Sequence, residues 1–343
     1  MPRPRQDGQS ERQVPDGLAG LRLDLALVRL WPELTRARAQ RLIDEGHVIV
    51  SGREARASAR LRGGESVSLT LPRPEPSGLV AQDLPLSVLH EDADLLVLDK
   101  AAGMVVHPAR GTPAGTVVNA LLHRFGDGAP GGERLGLVHR LDKETSGCLV
   151  VAKREASLAA LQAAFKARTV EKTYLALVHG APADEGRLDT PYGRHPRDRL
   201  RYTGRVASVR RAVTGWRVRE RFGDAAALLE VALETGRTHQ IRVHLAEAGH
   251  PLLADAVYGG RRREARLDAG DPVRRAAEAI GRQALHAWRL AFDHPRTGKP
   301  LRFEAPLPAD LKAGLAILRK AAKRSAKGPA ASGTGRGSGA GGP

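Results

Sequence analysis

Between two apolar stretches, Leu135 and Leu137 on one side and Cys148-Leu149-Val150-Val151-Ala152 on the other, the chain reads Val138-His139-Arg140-Leu141-Asp142-Lys143-Glu144-Thr145-Ser146-Gly147. An acid flanked in this way is held by its surroundings rather than solvated. Arg140 stands two residues before it, and a polar, glycine-closed turn follows. A loop aspartate taken alone is usually a turn or cap residue. The weight given to Asp142 therefore depends on what accompanies it elsewhere in the chain.

With 343 residues the chain has room for about two domains. Residues 1–18 are Pro-, Gln- and charge-rich and are expected to be disordered. A small domain is expected over 19–72. It starts with an apolar face (Leu21, Leu23, Leu25, Leu27, Val28, Leu30, Trp31) and continues into a helix capped by Thr35. That helix carries Arg36, Arg38 and Arg41 outward, with Leu42 and Ile43 turned inward. An alternating strand over 46–52 and a last hairpin arm with Val67, Leu69 and Leu71 complete it. Residues 73–82 read as a proline-stiffened linker, 83–318 as a large domain, and 319–343 as a disordered basic Gly/Ala/Ser tail. In the large domain, strand patterns at 86–89, 95–98, 174–178, 228–233 and 301–304 outnumber helical ones at 116–125 and 157–167. Helices and strands are not strictly interleaved, which argues for an α+β fold over a doubly wound sheet.

The 55 Lys+Arg against 38 Asp+Glu give a net charge of +17. Six cations lie after Leu318 with no acid among them, so residues 1–318 still carry +11. A polyanionic partner follows, and nucleic acid is the first choice. The single cysteine, Cys148, excludes an internal disulfide and a cysteine-based zinc site, and its apolar neighbours make it a buried thiol. No stretch has the length of a membrane span and the N-terminus has no apolar leader, so a soluble cytoplasmic protein is expected.

Three further segments accompany Asp142. Tyr174 follows it by 32 residues in Glu171-Lys172-Thr173-Tyr174-Leu175. Arg237 follows by 95 in Glu234-Thr235-Gly236-Arg237-Thr238-His239-Gln240-Ile241-Arg242-Val243-His244. Pro251-Leu252-Leu253-Ala254-Asp255 leads to Tyr258-Gly259-Gly260. Together with Leu98-Asp99-Lys100 and Val106-His107-Pro108, these resemble the motifs of the RluA-type pseudouridine synthases in order and composition. Ala254 stands where that family commonly has glycine. The small domain resembles the S4 RNA-binding domain, with Ser51 where asparagine is usual. Domain order resembles that of the subgroup that modifies uridines in a stem-loop of 23S rRNA; a second subgroup shares the S4 domain, and other rRNA or tRNA sites are the alternative targets.

The resemblance implies a mainly antiparallel pseudouridine synthase domain behind an S4-like module. It implies a reaction that breaks the C1′–N1 bond of uridine and rejoins the base through C5, without redox change, cofactor or metal. Asp142 would be the nucleophile, with Arg237 as its ion-pair partner. Tyr174 would stack on the extruded base and assist removal of the C5 proton. Arg140 would occupy the space vacated by the flipped base, and Arg36, Arg38 and Arg41 would face RNA. Partners would be 23S rRNA or a pre-50S particle, bound by a monomer with no membrane contact. A non-catalytic assembly factor, or a glycosylase or nuclease using Asp142, are the alternatives from other classes. Gly126–Gly131 fits G-x-G-x-x-G but follows a helical run, so it reads as a loop. His239 and His244 have no third ligand at metal spacing and read as structural histidines or RNA contacts.

Overall fold

The computed structural model describes residues 9–32, 34, 36–71, 79–109, 111–126, 130–198 and 200–326. The chain divides into two compact units, Met1–Gly78 and Leu79–Pro343.

The smaller unit contains β1 (Gln9–Gln13), α1 (Leu23–Leu30), α2 (Arg36–Asp44), β2 (Val48–Val50), β3 (Arg53–Glu54) and β4 (Ser66–Thr70). Its strands form an antiparallel sheet in the order β1-β4-β2-β3. Leu23, Ala26, Leu27 and Leu30 fall at helical spacing on α1 and close a core with Leu42, Val67 and Leu69. β2 and β3 are joined by the two-residue loop Ser51-Gly52, with φ of 46° and 81°. The disorder expected over 1–18 does not extend over 9–18. β1 has too little apolar character to be read as a strand, yet it pairs with β4 through its main chain, and Val14 behind it is buried. The Thr35 cap lies outside the described residues.

The larger unit is built on a nine-stranded sheet. β5 (Ser87–Glu91), β6 (Leu95–Lys100), α3 (Val117–Phe125), β7 (Ser146–Ala152), α4 (Glu155–Ala167) and β8 (Glu171–His179) come first. β9 (Glu185–Pro191), the short hairpin β10 (Gly193–Arg194) and β11 (Tyr202–Thr203), β12 (Arg211–Phe222), β13 (Ala226–Leu233) and α5 (Gln240–Glu247) follow. α6 (Gly260–Glu264), α7 (Pro272–Ile280), β14 (Leu285–Asp293), β15 (Pro300–Glu304) and α8 (Ala309–Ala326) complete it. The sheet order is β5-β6-β7-β14-β8-β13-β12-β9, with β15 on β14. Among these pairings only β7–β14 is parallel, so the α+β, mainly antiparallel expectation holds.

Strand alternation sorts the sheet into two faces. Leu96, Leu98, Leu149, Val151, Tyr174 and Ala176 lie on one, under α3 and α5. On the other face Leu175, Leu177 and Leu228 pack against α7 and α8, while Cys148 and Val150 meet α4. The loop carrying Asp142 enters β7 beside β14. At Gly147 (φ 112°) a Cβ would lie 2.2 Å from the Ala287 carbonyl oxygen, so only glycine lets the two strands meet.

Two boundaries differ from the sequence expectation. Leu79–Gln82 belongs to the larger unit: Leu79 packs on its core, and the Asn119 side chain donates to the Val80 carbonyl. The disordered tail expected from residue 319 does not begin there: α8 runs to Ala326. Leu311, Leu315 and Leu318 are buried, and Arg319 pairs with Glu220 at 2.7 Å. The lysines and arginines of 319–324 are the solvent side of an amphipathic helix, which composition alone reads as tail. Residue 72, the linker's 73–78 and the tail's 327–343 lie outside the described residues.

Candidate active site

Asp142 lies in the loop between the 3-10 turn at Gly132–Arg134 and β7, its side chain 18% exposed in the lining of a small open cleft. The loop is fastened from below by buried cations. Lys100 donates to the carbonyls of Ala101, Met104 and Lys143 at 2.7, 2.9 and 3.1 Å, and its burial pushes the ammonium down to about 8. Arg282 donates to the Glu144 carbonyl at 2.7 Å and to Ser146 Oγ at 3.2 Å. The Thr145 amide closes the turn on the Asp142 carbonyl. His139 fixes the other end. Its Nε2 accepts the Val150 N–H at 3.0 Å, and burial holds the imidazole down to about 3, so it is neutral and its lone pair is occupied.

The cation facing Asp142 is Arg242, not Arg237. Nη1 of Arg242 lies 3.4 Å from Asp142 Oδ2. The same guanidinium forks onto Asp255, Nε to Oδ2 at 2.7 Å and Nη2 to Oδ1 at 3.0 Å. Asp255 is fully buried and also accepts the amides of Val257 and Tyr258. Asp255 thus fixes the guanidinium plane while the third nitrogen is left for Asp142. Tyr258 lies under the guanidinium at 5.0 Å, and its hydroxyl accepts the Tyr202 amide and meets Nδ1 of His239 at 2.9 Å. Arg237 instead stands exposed at the cleft rim, its Nε donating to the Arg211 carbonyl at 3.4 Å. The two arginines share one short string, but α5 begins at Gln240 and turns Arg242 inward with Ile241 and Val243. A charged residue among apolar helix neighbours, matched by an acid among apolar loop residues at 252–255, was the signal for both Arg242 and Asp255.

Tyr174 does reach the cleft from β8. Burial first, and the charge of Asp142 second, hold its phenol above the ordinary tyrosine range, so it stays protonated near neutrality. Arg140 is exposed at the cleft mouth. In the small unit, Arg36 is bound to buried Asp24 at 3.0 Å, together with Arg22 and Gln40, so it organises the α1–α2 contact as well as bordering solvent. Arg38 and Arg41 are exposed on α2. His244 is a structural residue, set between Thr190 and Thr214 at 3.0 and 2.8 Å. Asp92, Asp94 and His294 bring three ligand atoms together. Nδ1 of His294 accepts the amides of Arg296 and Thr297, so Nε2 carries the proton and donates to Asp92, while Asp94 takes Arg296. The group is closed by its own hydrogen bonds.

A carboxylate held by a buried guanidinium in a cleft with arginines at its rim is the arrangement of an enzyme site for an anionic substrate. The profile of the RNA pseudouridylate synthase family matches residues 94–247, and that of the S4 domain matches 21–67. The ribosomal large subunit pseudouridine synthase D of Xanthomonas campestris is 46% identical over 316 residues, 92% of this chain and 94% of its own. That of Neisseria meningitidis is 42% identical over 308 residues, 89% and 81% of the two chains. Among solved structures, human RNA pseudouridylate synthase domain containing 4 matches 68% of this chain and 93% of its own, with a TM-score of 0.53 and 28% identity. The chain belongs to the RNA pseudouridine synthase family: it is an isomerase that converts uridine in RNA to pseudouridine.

Proposed function

We propose that the chain modifies uridines of large-subunit ribosomal RNA, with Asp142 as the nucleophile. The observation that carries this is the Asp142–Arg242–Asp255 array at the floor of a cleft walled by Tyr174, Leu141, Ile241 and Leu285. Apolar walls suit a planar base taken out of its stack. A carboxylate beneath such a base loses hydration, and the Arg242 guanidinium supplies the compensating charge. The relatives' names supply the ribosomal target.

In this reading Asp142 opens the reaction, the C1′–N1 bond breaks, the freed base turns within the cleft, and C5 bonds to C1′. The C5 proton then leaves, and the product is an isomer of the substrate, so neither oxidant nor reductant is called for. Tyr174 offers its ring as the stacking surface, and its protonated hydroxyl serves in proton relay rather than as a standing base. Arg140 and Arg237 border the cleft as phosphate contacts, and Arg38 and Arg41 extend RNA binding on the small unit.

The test is position-by-position pseudouridine mapping of 23S rRNA from cells lacking the gene, complemented with wild type or Asp142→Asn. Modification should return with wild type alone. Restoration by both would remove Asp142 from the chemistry, and no change at any 23S position would remove the ribosomal target.

A further inference from the structure

Beyond the cleft, the cavity continues into a wider groove that shares Arg140, Tyr174 and Arg237 with it. The far wall is the end of α4 and the start of β8, carrying Lys166, Arg168 and Lys172. Glu234 also lines it, but its carboxylate is paired with Arg187 at 3.0 Å.

Arg168 is held at a conformational cost. The Arg168 amide donates to Phe165 and the Thr169 amide to Ala164, the two bonds that end a helix through a left-handed residue. Arg168 is that residue, with φ 62°, a place where glycine is the unstrained choice. Its side chain is exposed, makes no side-chain hydrogen bond or close ion pair among the described residues, and acts on Asp189 only through its charge at longer range. A guanidinium kept at a glycine position with its hydrogen-bond donors unused is placed to meet a ligand.

Lys172 points the same way for a different reason. It is 9% exposed; its ammonium donates to the Val170 carbonyl at 3.2 Å and lies over the Phe165 ring at 5.8 Å, with no carboxylate in a salt bridge to it among the described residues. Burial lowers its affinity for the proton. Beside it, Phe165 is stacked on neutral His139 at 4.8 Å, which gives the groove a rigid floor. A buried ammonium with no salt-bridge partner among the described residues calls for an anion.

We propose that this groove holds the ribose-phosphate backbone next to the target uridine, with phosphates on Arg168 and Lys172, so that the strand is gripped where it leaves the cleft. The proposal rests on the reading of the cleft as the uridine site, since whatever enters the groove is continuous with what occupies the cleft.

The test uses the full chain and a uridine-containing RNA stem-loop. Arg168→Gly removes the charge and relieves the backbone, so its Tm should equal or exceed that of wild type. Its Kd should rise about 5- to 10-fold, and the dependence of log Kd on log salt should become shallower by roughly 0.7–0.9. Lys172→Met should lose affinity in the same way. Neutral methylphosphonate linkages beside the target uridine should weaken wild type but cost Arg168→Gly little, because the partner charge is already gone. Unchanged affinity and salt slope in Arg168→Gly would overturn the groove. Pseudouridine formation by wild type on the same RNA is scored separately. Its absence, with the coupling intact, would strike at the assigned target and leave the groove standing.

Discussion

Arg242 carries two carboxylates on one guanidinium, and each carboxylate asks something different of it. Asp255 takes two nitrogens and sets the plane, and Asp142 takes the third. Arg242→Lys keeps a charge but cannot fork, so kcat should fall about 10²–10³-fold while the fold survives. Arg242→Gln leaves Asp255 buried without its counterion and should cost about 3–5 kcal/mol in denaturant unfolding. Arg237→Gln should raise KM for RNA and leave the unfolding midpoint where it was. If Arg237 rather than Arg242 proves indispensable to kcat, the assignment of the ion pair is wrong. A smaller prediction belongs to Ser51. Both residues of the Ser51-Gly52 hairpin loop have positive φ, the arrangement that favours Asn-Gly. Ser51→Asn should stabilise the small unit by a few tenths to about 1 kcal/mol in urea titration; destabilisation would mean the serine has another role.

Among the elements, β7 is the one on which the site depends. Its seven residues are all buried, and its entry at Gly147 presses against Ala287 of β14. Gly147→Ala should therefore cost well over 1 kcal/mol and lower activity further by displacing the Asp142 loop; a variant with wild-type Tm and rate would contradict the close approach. Much of this architecture was legible beforehand. An acid between two apolar runs marked the loop, and alternating or fully apolar runs marked β6, β8 and β13. The start of α5 was not legible, because His239 precedes it at φ 59° with no capping side chain, and nothing local tells Arg237 in the loop from Arg242 in the helix. β1 was hidden for the opposite reason. Its pairing comes from the main chain and its side chains carry no pattern. The last turns of α8 were masked by the lysines and arginines that face solvent.

For the whole molecule, the buried imidazoles set the response to acid. Burial lowers the proton affinity of His139, His239, His244 and His286, His139 down to about 3. Below the unfolded value of about 6.5 the unfolded chain binds more protons than the folded one, so stability rises with pH through this window. It is fully present above about pH 6.5 and is lost as the pH falls toward 3. The unfolding free energy should therefore fall between pH 7 and 5, by at most roughly 1.4 kcal/mol per pH unit for each such histidine, and Tm should fall with it. His139→Gln, which keeps an acceptor for the Val150 amide, should flatten part of the slope; an unaltered slope would show that His139 titrates normally. A second consequence comes from β14, which takes its place between β7 and β8 although most of the chain precedes it. Ser146 reaches His286 across 140 positions, and Arg282 reaches Glu144 across 138. Contacts so distant along the chain form late and slowly. Until β14 has been translated and docked, the Asp142 loop lacks its fastening by Arg282 and the wall that Leu285 gives the cleft. The emerging chain therefore passes most of its synthesis with an RNA-binding module already made and no working catalytic centre.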